Sequence, residues 1–423
     1  MRRLYTCVLT FAATLSAQTD INKDLPGWLK FDAEFRTRFE GYSGGGFKPN
    51  TTDAYLLTRL WLGMTIAPTS WLKFHLEGMD ARAIEKNPAL PPYQNTWDIR
   101  QAYVQLGDNE SGMFGLRAGR QAIDFGDQRL VGEALWNNTS RTFDAIRGTF
   151  RMDGYRVDAF ASSVVNQVDG TWDHHQQGNN LHGLYGGIEK LIPNATIEPY
   201  LFWRLQPSVR NEEGVIANVN EKVPGFRWAG KLPYAIDYAI EMDREFGSLG
   251  ADKIRAWAGH WVAGKTVKSV WATPRLYAEF NHASGDANSK DGIRGTFDQL
   301  YPTNHDKYGL ADQVGWRNIS DVRAGIETKP RKNVGVNLEF NDWYLASRFD
   351  ALYNVAGVPV FRSPNGAAGT HVGEELDFIA TWAILKPLQA GAGFGHIFPG
   401  QFLKNVTPGN AYNFPYVMFA YKF

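Results

Sequence analysis

Charge is the chemistry this chain has to offer, and its spacing poses the first question. Across residues 29–40 every even position is charged (Lys30, Asp32, Glu34, Arg36, Arg38, Glu40), while the odd ones are apolar or neutral. Catalytic arrangements are missing from the rest of the sequence. Glu374 and Glu375 are adjacent, so in a strand they point to opposite faces and cannot act on one substrate. His174 and His175 fall in a polar stretch with no further ligands at metal spacing. The run from Asp286 through Asn288 to Gly292 begins like a calcium loop. Lys290 then takes the fifth place, and Phe297 stands where a bidentate carboxylate is required. Gly-rich phosphate loops, nucleophile elbows and basic nucleic-acid helices do not occur. The expectation is a protein without catalytic residues, metal or cofactor, and not an enzyme.

Arginine is what recurs. Arg36, Arg38, Arg59, Arg117, Arg120, Arg129, Arg156, Arg204 and Arg362 all fall where they can reach a lumen or its mouth. Guanidinium groups grip carboxylates in bidentate fashion and stay charged at any working pH, so a ring of them suits the passage of polyanions. The competing reading is structural: arginines pair with lumen acids such as Asp32, Glu34 and Asp158, and so hold neighbouring strands or inward loops.

The elements that must position these side chains are strands. Ile197, Pro199, Leu201 and Trp203 alternate with Glu198, Tyr200, Phe202 and Arg204, and Ile236, Tyr238, Ile240 and Met242 alternate with Asp237, Ala239, Glu241 and Asp243. A helix would need apolar residues at three- and four-residue spacing. Short turns such as 190–194 and 386–387 separate some strands. Others are separated by long polar stretches at 41–53, 82–96, 166–180, 206–224, 284–319 and 345–373. Roughly ten-residue strands with alternating short and long connections mark an all-β, transmembrane antiparallel barrel, with short periplasmic turns and long extracellular loops. At roughly 22 residues per strand and connection, residues 18–423 allow about 18 strands in a single barrel.

Both ends of the chain support this. Arg2 and Arg3, an apolar run to Leu15, then Ser16 and Ala17 form the pattern of a signal peptide over residues 1–17. The single cysteine, Cys7, lies inside it, which removes disulfides and thiolate sites from the exported chain. The chain ends PYVMFAYKF, with Val417, Phe419, Tyr421 and Phe423 on one face, like the final strand that bacterial barrel assembly machinery recognises. Closure into a barrel leaves no backbone group unpaired in lipid, which explains how a hydrophilic chain can span a membrane. Trp28, Tyr42, Trp61 and Trp71 are the expected aromatic girdles. The expected location is the bacterial outer membrane, in contact with its lipid. The 44 Lys and Arg balance 44 Asp and Glu, so net charge gives no argument for nucleic acid.

Longer motifs carry a resemblance. The run LRAGRQAIDFGDQRLVGEALWNNTSRTFDAIR resembles the central signature of the alginate export family, preceded by DIRQAYVQLG. ASGDANSKDGIRGTFDQLYPTNHDKYGLADQVGWRN, FDALYNVAG, HVGEELDFIATW and GFGHIFPGQFL follow in the family's order. The resemblance implies an 18-stranded outer-membrane channel whose arginine-rich constriction passes an anionic polysaccharide, or another carboxylate-bearing solute, by passive export or diffusion. It also suggests delivery by a periplasmic export scaffold. Arg120 matches a constriction position in GRQ, and Glu375 and Asp377 in EELD match inward acids facing the arginines. Arg100 falls on the face of Asp98 and Ala102 by simple alternation, which leaves its direction open. Segment 284–319 is the expected occluding loop. The alternative is a barrel with a plugged lumen and a structural, partner-binding or enzymatic role. Three acids balance three bases on the first strand, so composition singles out no particular anion.

Overall fold

The structure, a computed structural model, describes residues 21–211 and 213–423. The signal-peptide segment 1–17, with Cys7, lies outside the described residues. The alternating segments form 18 antiparallel barrel strands, each bonded to the strand before it. The first, Leu29–Ser43, also pairs with the last, Tyr412–Lys422, through Arg36 opposite Ala420 and Thr37 opposite Phe419. This pairing closes the sheet and abolishes its edges. No described helix is long and apolar enough to cross a membrane.

The alternation sorts the wall into two faces. Phe74, Leu76, Ile146, Phe150, Leu338 and Phe378 are exposed on the outside, as a lipid-facing band requires. Glu34, Arg36, Arg38, Glu40 and Arg59 are buried on the inside. Trp28 and Trp71 are exposed at the short-turn rim, as girdle residues should be. Trp61 and Tyr42 turn inward instead. Trp61 sits opposite Glu34, and Tyr42 has the parity of Arg36 and Arg38, so both share the charged face.

Several polar stretches that read as loops are strand. His174 and His175 open the strand His174–Ile188, and Asn95 begins Asn95–Gly107. The strands therefore rise well past the apolar band at the long-loop end. Two connections fold into the lumen. One runs over 284–318, within the segment 284–319 expected to occlude the lumen; the other is 122–142, which carries the apolar residues Ile123, Phe125, Leu130 and Val131. These four are buried in one cluster with Phe297, Tyr308, Leu310 and Trp316 from the second loop. The loops meet in a short parallel pairing at Val131 and Tyr301. The amide of Tyr301 donates to the carbonyl of Leu130 at 2.8 Å, and that of Gly132 to the carbonyl of Tyr301 at 2.9 Å. Phe125 then stacks on Tyr185 of the wall, ring centres 4.4 Å apart.

Candidate functional site

The charged face of the first strand has a specific occupant. Arg36 donates to the carbonyls of Leu135, Trp136 and Asn137 at 3.0, 3.1 and 3.2 Å. Arg59, directly opposite Arg36, donates to the carbonyls of Leu135 and Asn137, both at 3.0 Å. Arg38 donates to the Trp136 carbonyl at 2.7 Å and lays its guanidinium 3.7 Å from that residue's ring centre. The other face of Trp136 carries His305, stacked at 3.6 Å. Three arginines side by side repel one another. Glu40, paired with Arg38, and Glu34, paired with Arg59 and with Lys422 at 2.7 Å, supply the compensating charge.

Acids on other strands perform the complementary task. Glu375 accepts the Ala311 amide at 2.7 Å, and Asp377 accepts that of Leu310 at 3.2 Å. They face inward as the resemblance implied, but what they face is loop backbone rather than arginine. Gly309 beside them has φ 103°, and a Cβ there would collide with Glu375 and Trp343, so the loop requires glycine at this point. Glu245 takes the Asp298 amide at 3.0 Å on both oxygens. Asp298 pairs in turn with Arg204 at 2.6 Å and with Arg294 and Arg317, both at 3.3 Å. Burial opposes its charge, yet these three guanidinium groups hold its carboxyl well below the usual range. Arg129, carried on the first inward loop, reaches Tyr308 at 3.1 Å and Glu279 at 3.0 Å.

Two of the cavities border the inward loops, and they share no lining residue. The one toward the long-loop end measures about 700 Å³ and is aromatic, with Tyr42, Tyr55, Tyr93, Trp136, Tyr412 and Phe414 in its lining. Its cations are all engaged. Arg38 is clamped as described, and Arg141 donates to the carbonyls of Gly132, Tyr301 and Pro302 at 2.6–3.0 Å. Lys86 is salt-bridged to Asp53 at 3.1 Å and lies 4.0 Å from the Tyr55 ring centre. The cavity toward the short-turn end measures about 310 Å³ and is bordered by Arg147, Arg151, Arg156 and Arg227 with Glu110, Asp124 and Glu198. Arg156 reaches Asp158 at 3.1 Å and Glu198 at 3.6 Å; Arg147 reaches Asp158 at 2.9 Å. Arg227 bridges Glu198 and Asp127 at 2.7 and 2.8 Å. Burial disfavours the charge on Asp127, but Arg227 beside it holds the carboxyl below its usual range. Arg151 stands opposite Arg156 and forms no ion pair among the described residues.

The remaining expected residues divide. Arg117 faces in, held by Gln105 at 2.7 Å, and Asp32 faces in opposite Gly63 near the short-turn rim. Arg120 does not face the lumen. It lies three residues beyond Arg117, and its partners across the sheet are Ala102 and Asp144, on the same face as the exposed Ile146. There it bonds Asp144 at 2.9 Å and the Asp173 carbonyl at 3.0 Å, sealing the outer wall. Arg362 belongs to the small loop hairpin of Ala351–Tyr353 and Pro359–Arg362, where it binds Asp350 at 3.2 Å and borders neither cavity. For Arg100 a β-bulge decides. Gln101 pairs with Glu77 and Ile99 with Gly78, which leaves Arg100 as the extra residue. It turns inward onto Glu77, and onto Glu133 at 2.6 Å.

Arg147, Arg151 and Arg227 were missed as site residues. A parity signal was present for the first two, since Ile146, Phe150 and Met152 form an apolar face that leaves Arg147 and Arg151 on the other. Asp342, His371 and Glu374 converge on the outer face with ligand atoms within 4.8 Å, a grouping hidden in the sequence by the loop between them.

The alginate export family matches over residues 27–416. No curated protein sequence matches the chain. Among solved structures, OpdK of Pseudomonas aeruginosa with vanillate superposes with a TM-score of 0.65 at 9% identity, covering 93% of this chain and 98% of that one. OccK10 (OpdN) of the same organism gives 0.63 at 11% identity over 94% and 99%. OccAB3 of Acinetobacter baumannii gives 0.63 at 11% identity over 93% and 99%. At such identities the likeness concerns the fold.

Proposed function

Because the chain belongs to the alginate export family and is an outer-membrane channel, we propose that it passes an anionic polysaccharide of the alginate kind, or another carboxylate-bearing solute, passively through its lumen. The observation that carries this reading is the short-turn, periplasmic cavity with its four arginines, among them Arg151 without an acidic partner. A carboxylate entering there exchanges water for guanidinium donors, while Glu198, Asp124 and Glu110 keep binding weak enough for release. The aromatic cavity beyond offers ring faces on which sugar or aromatic rings stack. OpdK, solved with vanillate, pairs the same fold with an aromatic carboxylate. In this reading a periplasmic scaffold delivers the polymer, the assembly machinery inserts the barrel through its Phe423-ended strand, and no cofactor or covalent chemistry takes part.

The many bonds that fix loops 122–142 and 284–318 inside the barrel favour a second reading, a plugged barrel that serves a structural or partner-binding role. Planar-bilayer recording separates the two. The channel reading expects steady conductance that added oligouronate blocks in a concentration-dependent way. A barrel silent under every voltage would overturn it in favour of the plug.

A further inference from the structure

Most of the lumen's charges are paired; one group of charges on the outside is not. The strands Ile216–Leu232, Ile236–Leu249 and Asp252–Thr266 turn Phe226, Met242, Phe246 and Trp257 toward lipid, all exposed. Toward their long-loop ends the same face carries Lys222, Arg244, Lys253 and Arg255, also exposed. Lys222 and Arg255 stand on either side of Phe246, while Arg244 lies opposite Trp257 and Lys253 opposite Ser248. That register sets Arg255 about 7 Å from both Arg244 and Lys253, and Lys222 about 10 Å away across the intervening strand. None of the four forms an ion pair among the described residues. The acids toward this end of the strands, Glu221, Glu241, Asp243 and Glu245, have the opposite parity and are buried inside, and Asp237 at the other end pairs with Arg275. Asp252, at the start of its strand, accepts from Asn211 at 2.9 Å, and the loop acid Asp291 from the Ile293 amide at 2.8 Å.

Four unpaired cations on a lipid-facing wall are tolerable only at the headgroup boundary. Two tryptophans mark that boundary: Trp203 opposite Lys222, and Trp257 opposite Arg244. The cations are also confined to one arc of the rim. Elsewhere at this end the outer face carries the Asp80–Arg82 and Arg120–Asp144 pairs, or the carboxylates of Asp342 and Glu374 beside His371. We propose that Lys222, Arg244, Lys253 and Arg255 form a binding site for the phosphates of an anionic, phosphorylated glycolipid of the outer leaflet, whose acyl chains lie against Met242 and Phe246. Fixed cations at a membrane surface attract such headgroups without burying charge in hydrocarbon. The inference is independent of what the channel carries.

The test uses the full barrel in mild detergent and native mass spectrometry. The probes are a bis-phosphorylated lipid A-type glycolipid, its dephosphorylated form and inorganic phosphate. The expected result is retention of the phosphorylated glycolipid alone. Binding should weaken roughly fivefold for each cation removed across Lys222→Gln, Arg244→Gln, Lys253→Gln and Arg255→Gln. Arg82→Gln on another arc should change nothing. If the fourfold variant loses heat-modifiable mobility, the single Arg255→Gln and Arg255→Lys variants decide, with loss in the first and retention in the second. Equal binding by wild type and variants, equal binding of the dephosphorylated lipid, or displacement of the glycolipid by millimolar phosphate would each overturn the proposal.

Discussion

Two sets of interior arginines occupy the same kind of position and do different work. Around the first two strands, Arg36, Arg38 and Arg59 face the lumen yet direct their hydrogen bonds to carbonyls of residues 135–137, to Asn138 or to Glu34 and Glu40. At the periplasmic end Arg147, Arg151, Arg156 and Arg227 border open space, and Arg151 forms no ion pair among the described residues. The difference comes from where the inward loop lands. An arginine beneath a run of bare carbonyls becomes a backbone clamp, because buried carbonyls need donors. Where the loop presents no such run of carbonyls, an arginine such as Arg151 remains open to a solute. Counting lumen arginines therefore measures two quantities at once, and in the proposed channel only the second set would bear on selectivity.

Removing the clamp should have the largest effect. Arg36→Ala with Arg59→Ala deletes five bonds to the 135–137 carbonyls and leaves Glu34 without its Arg59 partner. Stripping one member from a buried pair costs about 3–5 kcal/mol. The double variant should convert to its unfolded gel mobility at a clearly lower temperature. It should also conduct more, with added noise, as loop 122–142 leaves the wall. Wild-type melting and a quiet, unchanged conductance together would show that the loop is held by its pairing with 284–318 and not by the arginines.

The open set predicts a smaller effect of another kind. Arg151→Glu leaves the loops untouched and reverses one accessible charge, worth about 1 kcal/mol to a passing anion at high dielectric. Reversal potentials in a salt gradient should shift toward cations by a few-fold in permeability ratio, while melting stays near wild type. An unmoved reversal potential would detach the periplasmic cavity from the conduction path.

How far the sequence shows this division varies by region. Period two placed Glu34, Arg36, Arg38, Arg156, Asp158 and Arg204 on the correct face, because parity depends only on counting. It failed where the chain leaves regular pairing. The extra residue at Arg100 shifts parity downstream, so Asp98 and Gln101 lie on the same side although one is even and the other odd. The inward turn at 122 was invisible because Ile123, Phe125, Leu130 and Val131 carry the apolarity of wall residues and bury it against a second loop. Trp61 was misplaced for a simpler reason. Aromatic residues near strand ends suggest a girdle, but Trp61 shares parity with Arg59, whose guanidinium lies 3.8 Å from its ring centre. The clamp itself involves partners about a hundred residues apart, and single-sequence spacing carries no record of them.

Arg120 offers the finest discrimination, because motif and register disagree about it. The family motif assigns it to the constriction; the pairing with Ala102 and Asp144 places it outside. Arg120→Glu sets a carboxylate beside Asp144 and removes a donor from the Asp173 carbonyl, a loss of about 1–3 kcal/mol in local stability at the outer wall. Its effect on ion selectivity should be nil, since strand and neighbours separate it from both cavities. The measurement is the same reversal potential, made beside Arg117→Glu on the same strand. Arg117 faces inward three residues earlier and should move the potential where Arg120 does not. If both variants shift it equally, the positive φ of 124° at Gly119 must swing the strand's end so that parity breaks there, and Arg120 rejoins the lumen. A shift from Arg117 alone shows that two arginines in one motif, on one strand, belong to opposite sides of the membrane wall.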